Sequence, residues 1–232
     1  MRWTEISDRA LVRLLPATYH KPPALRGLVD TDDELEILAQ IEGLTSSRLL
    51  AEQGRSPHLD PRELAWRRRR HDLRIYGDTH VNAAFTYTRA GGNRFNSDAR
   101  GAWYCAWDAM VSVSEVAWHR SRELGYTGMF NDTARYIELL ADFIGGFHDI
   151  TDEPDHPSLT ADPAIGYPQG QSLAAQLRQD GSRGLIYPSV RAPAGGNCLV
   201  CFEPNAIQNV RPGASWDLIW NGTPEYSIMA VA

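Results

Sequence analysis

The chain has 232 residues, enough for one substantial core. Its 43% hydrophobic and 22% charged residues exclude a disordered polar chain. A net charge of −6 argues against wholesale nucleic-acid binding, whose affinity rests on neutralising phosphates.

Charges run through the first ten residues, so no secretory signal is expected there. No apolar run approaches the roughly 20 residues that cross a bilayer. Three cysteines (Cys105, Cys198, Cys201) cannot all pair, and a reduced, cytoplasmic protein is expected.

Between residues 3 and 23, Leu11, Leu14 and Leu15 fall at helical spacing and predict a short helix that stops before Pro16. Residues 30–42 predict a second helix. Thr31 or Asp32 caps it, acids fill its first turn, Leu35, Ile37, Leu38 and Ile41 form its apolar stripe, and Gly43 is its expected terminator. Residues 45–53 predict another short helix, followed by a polar loop. Residues 67–70 are four consecutive arginines. Such a run can meet RNA, an acidic partner or a nucleotide phosphate, but Asp60, Glu63 and Asp72 nearby make a solvated helix face the plainer reading.

From Asn82 onward glycines and aromatics become dense. Strands are predicted over residues 84–88, 102–107, 184–190 and 199–202. A helix is predicted over 109–124, ended by Gly125, and another over 171–179, stopped at Asp180-Gly181. Residues 150–167 read as a loop, and 136–149 fit a helix or a strand. Strands with inserted helices and no regular βαβ alternation predict an α+β fold. Neither a dinucleotide-binding Gly-x-Gly-x-x-Gly nor a P-loop is present. Cys198 and Cys201 lie three apart on a predicted strand, which points them to opposite faces. With no second ligand pair, they are read as core residues rather than a redox or metal motif.

Three segments carry the chemistry: Gly91-Gly92-Asn93-Arg94-Phe95-Asn96, then Tyr104-Cys105-Ala106 through Ser114-Glu115-Val116, and Tyr187-Pro188-Ser189-Val190-Arg191. Paired glycines let backbone approach a ligand, and the arginine fork that follows suits a phosphate as well as a surface ion pair. Glu115 sits among Val111, Val113, Val116 and Trp118, where a carboxylate is costly unless paired or used. His119, one turn on, is its structural partner; stabilising positive charge on a ribosyl group is its functional use. Ser189 lacks a nucleophile-elbow context, so hydrogen bonding is read in preference to nucleophilic attack.

In this order the segments resemble the RES family, toxins of Xre–RES toxin–antitoxin pairs named for their Arg, Glu and Ser. Gly92 to Asn96 is similar to its Gly-x-Arg-Phe/Trp-Asn motif. Ala102 to Ala106 with Ser114-Glu115 is similar to its tyrosine strand and glutamate helix, and Gly184 to Arg191 with Asn197-Cys198 to its C-terminal signature. The likeness runs over about residues 82–204, and Arg13-Leu14-Leu15-Pro16 resembles the opening of longer members. It implies an ADP-ribosyltransferase-like core of short mixed strands with surrounding helices and a helical N-terminal extension. The implied division is an extension over 1–78 and a catalytic domain over 79–232.

The resemblance also implies that NAD⁺ is the substrate. Its nicotinamide–ribose bond is broken by hydrolysis or phosphorolysis without a metal, or its ADP-ribose is passed to a protein. Carried over by position, Arg94 holds a phosphate or ribose, Tyr104 orients the nicotinamide end, Glu115 stabilises an oxocarbenium-like state and Ser189 hydrogen-bonds beside it. Arg191, Asn197 and Arg13 are further NAD⁺ contacts, and His119 is expected to be structural. The implied partner is an Xre-type antitoxin that blocks the cleft and binds DNA for the pair. Departures are Ser112-Val113-Ser114, where many relatives carry a threonine-alanine pair, and Cys105 in place of a small residue often seen after the tyrosine. Many ADP-ribosyltransferases place a second acid two residues before the catalytic glutamate; Val113 stands there, which leans toward free-nucleotide chemistry. A reading from another class is a non-catalytic nucleic-acid or protein binding module built on the arginine run.

Overall fold

The computed structural model describes residues 1–20, 28–64 and 76–231. Its strands are β1 (Arg2–Pro16), β2 (Trp103–Ala106), β3 (Asn131–Asp149), β4 (Gly184–Pro188), β5 (Asn197–Cys201), β6 (Gln208–Asn221) and β7 (Tyr226–Val231). Its helices are α1 (Asp32–Thr45), α2 (Ser47–Glu52), α3 (Asp78–Thr86), α4 (Ala109–Thr127) and α5 (Pro163–Gln179). The fold is α+β, around one mixed sheet of order β1-β2-β5-β4-β3-β6-β7.

The long strand β3 organises that sheet. One of its edges carries β1 from Arg2↔Asp149 to Pro16↔Tyr136. The other carries β6 along its first part and then, in parallel, β4 at His148↔Leu185 and Asp149↔Ile186. Because β1 also touches β2 at Val12↔Ala106, the strands β1, β2, β5, β4 and β3 close into a ring. The hairpin of β6 and β7 continues outward from β3.

Strands β2, β4 and β5 bury both faces, and period-two alternation sorts their side chains into two clusters. Trp103, Cys105, Ile186, Leu199 and Cys201 pack with Leu11, Leu139, Phe143, Phe147 and, from α3, Phe85. Ala102, Ala106, Leu185, Tyr187, Cys198 and Val200 face the other way, onto Phe95, Val111 of α4 and Leu177 of α5. This second face is the one on which the candidate site is built.

Several local expectations are corrected. The predicted helix before Pro16 is β1. Its side chains alternate in exposure up to Arg9, then Leu11, Val12 and Leu14 are all buried, which mimics helical spacing. A bulge between Asp8 and Leu11, with Ala10 at φ 61°, shifts the register there. Residues 2–16 are therefore a strand of the sheet, while α1 and α2 supply the helices of the N-terminal part. Residues 84–86, predicted as strand, belong to α3, where Val81, Ala84 and Phe85 are buried at helical spacing.

Helix α1 has the full capping box of Thr31 and Glu34 and runs past Gly43 to Thr45. Helix α4 runs through Gly125 and ends at Gly128, whose φ of 68° supplies the left-handed cap. Helix α5 starts eight residues before residue 171, capped by Asp162, inside the segment read as a loop. The ambiguous residues 136–149 are strand, and β6 and β7 had no sequence expectation. The four arginines at 67–70 lie outside the described residues. Among the described residues no helix is long and apolar enough to cross a membrane.

Candidate functional site

The turn that carries Arg94 is held by backbone geometry. Gly91 and Gly92 have φ of 76° and 71°, and a Cβ on Gly92 would meet the Asn96 carbonyl at 2.1 Å. The Asn93 N–H donates to that carbonyl at 2.9 Å. From β2, the Tyr104 hydroxyl donates to Asn96 Oδ1 at 2.8 Å and accepts from the Phe95 N–H at 3.0 Å. Burial keeps this phenol protonated, well above its usual range.

Arg94 itself is only 7% exposed. Its Nη1 donates to the carbonyls of Ser158 and of Thr160, the latter at 2.9 Å, and its guanidinium lies 5.4 Å from the centre of the Tyr167 ring. Helix α5 crosses so close that a Cβ on Gly170 would meet the Arg94 carbonyl at 2.2 Å.

Glu115 comes from α4, whose first turn is capped by Asp108 through the Met110 N–H. The helix buries Val113 and Ala117 in the core, while Ser112, Glu115, Val116 and His119 form a cleft-lining face at helical spacing. The Ser189 hydroxyl donates to Glu115 Oε1 at 2.6 Å and accepts from the N–H groups of Arg191 at 3.2 Å and Ala192 at 3.1 Å. The second carboxylate oxygen has no protein partner among the described residues. Burial pushes the Glu115 carboxyl up, against the Ser189 hydrogen bond and the charges of Arg191 and Arg94.

These side chains surround a cleft of about 220 Å³ that is also lined by Arg13, Arg89, Tyr167 and Tyr187. The ion pairs of the described residues fall to other arginines, such as Arg2, Arg120, Arg135 and Arg211; Arg13, Arg89, Arg94 and Arg191 have no carboxylate partner among them. Arg13 reaches in from β1, with its guanidinium 4.9 Å from the Trp103 ring centre and Nη1 donating to the Tyr104 carbonyl at 3.3 Å. Arg191 stacks on Trp118 at 3.6 Å and donates to the Ala161 carbonyl at 2.6 Å. His119 accepts from Arg89 Nη1 at 3.3 Å; burial, with Arg89 and Arg191 beside it, drops its pKa to about 4 and holds it neutral. Such a cleft, a lone carboxylate ringed by cations and aromatic faces, suits an anionic ligand whose reacting atom becomes positive.

Of the residues singled out from sequence, Arg13, Arg94, Tyr104, Glu115 and Arg191 line this one cleft, with Ser189 bonded to Glu115. Asn197 does not line it; it is exposed and pairs with Pro188 at the start of β5. His119, expected to be structural, does line it. Sequence reading missed Arg89 and Tyr167. Arg89 was within reach, since its carbonyl closes the Gly92 turn at 2.9 Å. Tyr167 carried no signal, because its place depends on how α5 docks. Cys105 and Cys198 also line the cleft; all three cysteines are unpaired thiols, and burial raises their pKa, Cys201 to about 12.

A protein-family model described as "RES domain" matches residues 64–221, about two thirds of the chain. That span holds Arg94, Glu115 and Ser189 and leaves β1 outside. No curated protein matches the chain.

Proposed function

The chain belongs to the RES domain family, which is associated with NAD-related toxin function, and from that premise we propose that it consumes NAD⁺ by breaking the nicotinamide–ribose bond. The observation that carries this reading is the Glu115 carboxylate, largely buried, oriented by Ser189 at 2.6 Å and set among arginines that have no carboxylate partner among the described residues. As the bond from ribose C1′ to the ring nitrogen lengthens, nicotinamide leaves with the electron pair as a neutral pyridine. The sugar then carries positive charge, and Glu115 stabilises it. Water or phosphate adds to C1′. The ringing cations hold the phosphates of the dinucleotide, and Tyr104 and Tyr167 supply aromatic surface for its nicotinamide end.

Ser189 acts as an orienting group in this scheme, because its proton already points to Glu115 and its oxygen accepts two backbone N–H groups. Val113, two residues before Glu115, is fully buried in the core, so no second acid stands there to activate a protein acceptor. That supports free-nucleotide chemistry over ADP-ribosyl transfer to a protein. The partner that fits the family is an Xre-type antitoxin whose tail occupies the cleft.

The test is NAD⁺ concentration over time with wild-type protein and Glu115→Gln, with and without phosphate. Gln keeps an oxygen for the Ser189 hydroxyl but removes the charge, so turnover should fall by about 10²–10³. Loss that requires phosphate identifies phosphorolysis. Equal turnover by both proteins rejects the role of Glu115. Label from NAD⁺ appearing in a protein band replaces cleavage with transfer.

A further inference from the structure

We infer that a second recess beside the cleft is the subsite for the outer phosphate and adenosine of the dinucleotide, with Arg122 as a specificity-determining residue that selects NAD⁺ over nicotinamide mononucleotide. The inference rests on the NAD⁺ reading above. The inner cleft, at about 220 Å³, falls below the roughly 300–1,000 Å³ typical of pockets for drug-sized ligands. A whole dinucleotide therefore extends beyond it. Only the nicotinamide riboside end has to meet Glu115.

The second recess offers about 690 Å³ and adjoins the first, with Arg89, His119 and Tyr167 lining both. Arg122 lines the outer recess alone. It stands one turn after Trp118 on α4, with its guanidinium 5.6 Å from the Trp118 ring and 5.9 Å from that of Tyr126. Trp118 thus ties Arg122 of the outer recess to Arg191 of the inner cleft. Neither Arg89 nor Arg122 has a carboxylate partner among the described residues. The acid in the recess, Glu123, faces Arg120 at 3.5 Å.

Across both recesses, Arg13, Arg89, Arg94, Arg122 and Arg191 stand against two glutamates, in a chain of net charge −6. Cations gathered against the overall balance, none of them ion-paired to a carboxylate among the described residues, suit a pyrophosphate. Tyr126 and Pro168 give the outer recess an apolar and aromatic wall for a base. Arg89, at the junction, meets the phosphate that dinucleotide and mononucleotide share. Arg122 meets only what the dinucleotide adds.

Steady-state kinetics on NAD⁺ and nicotinamide mononucleotide, with wild type, Arg122→Ala and Arg89→Ala, test this, together with calorimetric binding of ADP-ribose to the same proteins. Wild type should prefer NAD⁺. Arg122→Ala should lower kcat/KM for NAD⁺ about tenfold, through KM, and weaken ADP-ribose binding by a similar factor, the loss of one charge-assisted contact. Its loss on the mononucleotide should be much smaller, whereas Arg89→Ala should weaken both substrates. Equal losses on both nucleotides in Arg122→Ala, or no preference in wild type, overturn the assignment. If wild type consumes neither nucleotide, the cleavage reading fails and calorimetry still judges the recess. ADP-ribose binding that depends on Arg122 then upholds it, and binding that is absent or indifferent to Arg122 rejects it.

Discussion

At Glu115 two opposing influences meet on one carboxyl. Burial raises its pKa, while the Ser189 hydrogen bond and the charges of Arg191 and Arg94 pull it back. Ser189→Ala withdraws the hydrogen bond and leaves burial less opposed, so the pKa climbs further. The proposed chemistry uses the carboxylate, and the acid limb of kcat should therefore move to higher pH, with part of the lost rate returning as pH rises. An acid limb that stays in place in Ser189→Ala would assign that limb to another group. The same shift has a stability sign. A carboxyl with a raised folded pKa binds more protons folded than unfolded, so its contribution to stability is lost as pH rises through the folded pKa. Glu115→Gln removes that cost and should melt no lower than wild type at neutral pH, which separates loss of chemistry from loss of fold.

The seating of α5 over the arginine turn decides whether the site is assembled. Gly170 leaves only 2.2 Å between a built Cβ and the Arg94 carbonyl, and Gly166 leaves 2.7 Å to Arg94 Nη1. Gly170→Ala must push backbone against backbone, since no flexible side-chain end can yield. It should cost about 1–3 kcal/mol of stability, as overpacking does, and weaken NAD⁺ binding as Tyr167 and the Ser158 and Thr160 carbonyls shift with the helix. A thermal melt and a binding isotherm check this together; an unperturbed Gly170→Ala would mean that α5 has slack over Arg94.

The same helix marks where sequence reading ends. Arg94, Glu115 and Ser189 were legible because each lies in a short string whose neighbours constrain it: a glycine turn, an apolar helix, a strand end. The strands β2, β4 and β5 were legible as apolar runs between turn residues. Helix α5 was half legible, since residues 163–167 fell in the segment read as a loop, yet Pro163 sits in its first turn, where a missing N–H costs nothing. In α3 the strand-like composition of Phe85, Thr86 and Tyr87 outweighed the helical spacing of Val81, Ala84 and Phe85, which the core uses.

For the molecule as a whole, closure of the ring is the point at which β1 matters most. This strand lies outside the family match, yet it lines β3 from Tyr136 to Asp149, touches β2 and brings Arg13 to the cleft. Its role was hidden in the sequence because a strand buried on both faces loses the alternation by which strands are read, as at Leu11, Val12 and Leu14. Those three buried side chains alone are worth about 1.5–3 kcal/mol each, about 5–9 kcal/mol together. That is comparable with the roughly 5–15 kcal/mol by which whole domains are stable. A protein lacking residues 1–16 should therefore fail to fold, with an edge of β3 unpaired and the cluster around Phe143 and Phe147 opened to water. Circular dichroism and a thermal melt would read this, and adding the 16-residue peptide in trans should restore part of the transition. A truncated protein that still melts cooperatively near the wild-type temperature would make β1 an accessory to a sheet that stands without it. Arg13→Gln in the full chain keeps the ring and removes the guanidinium with its charge, so it should weaken NAD⁺ binding while the protein still melts cooperatively.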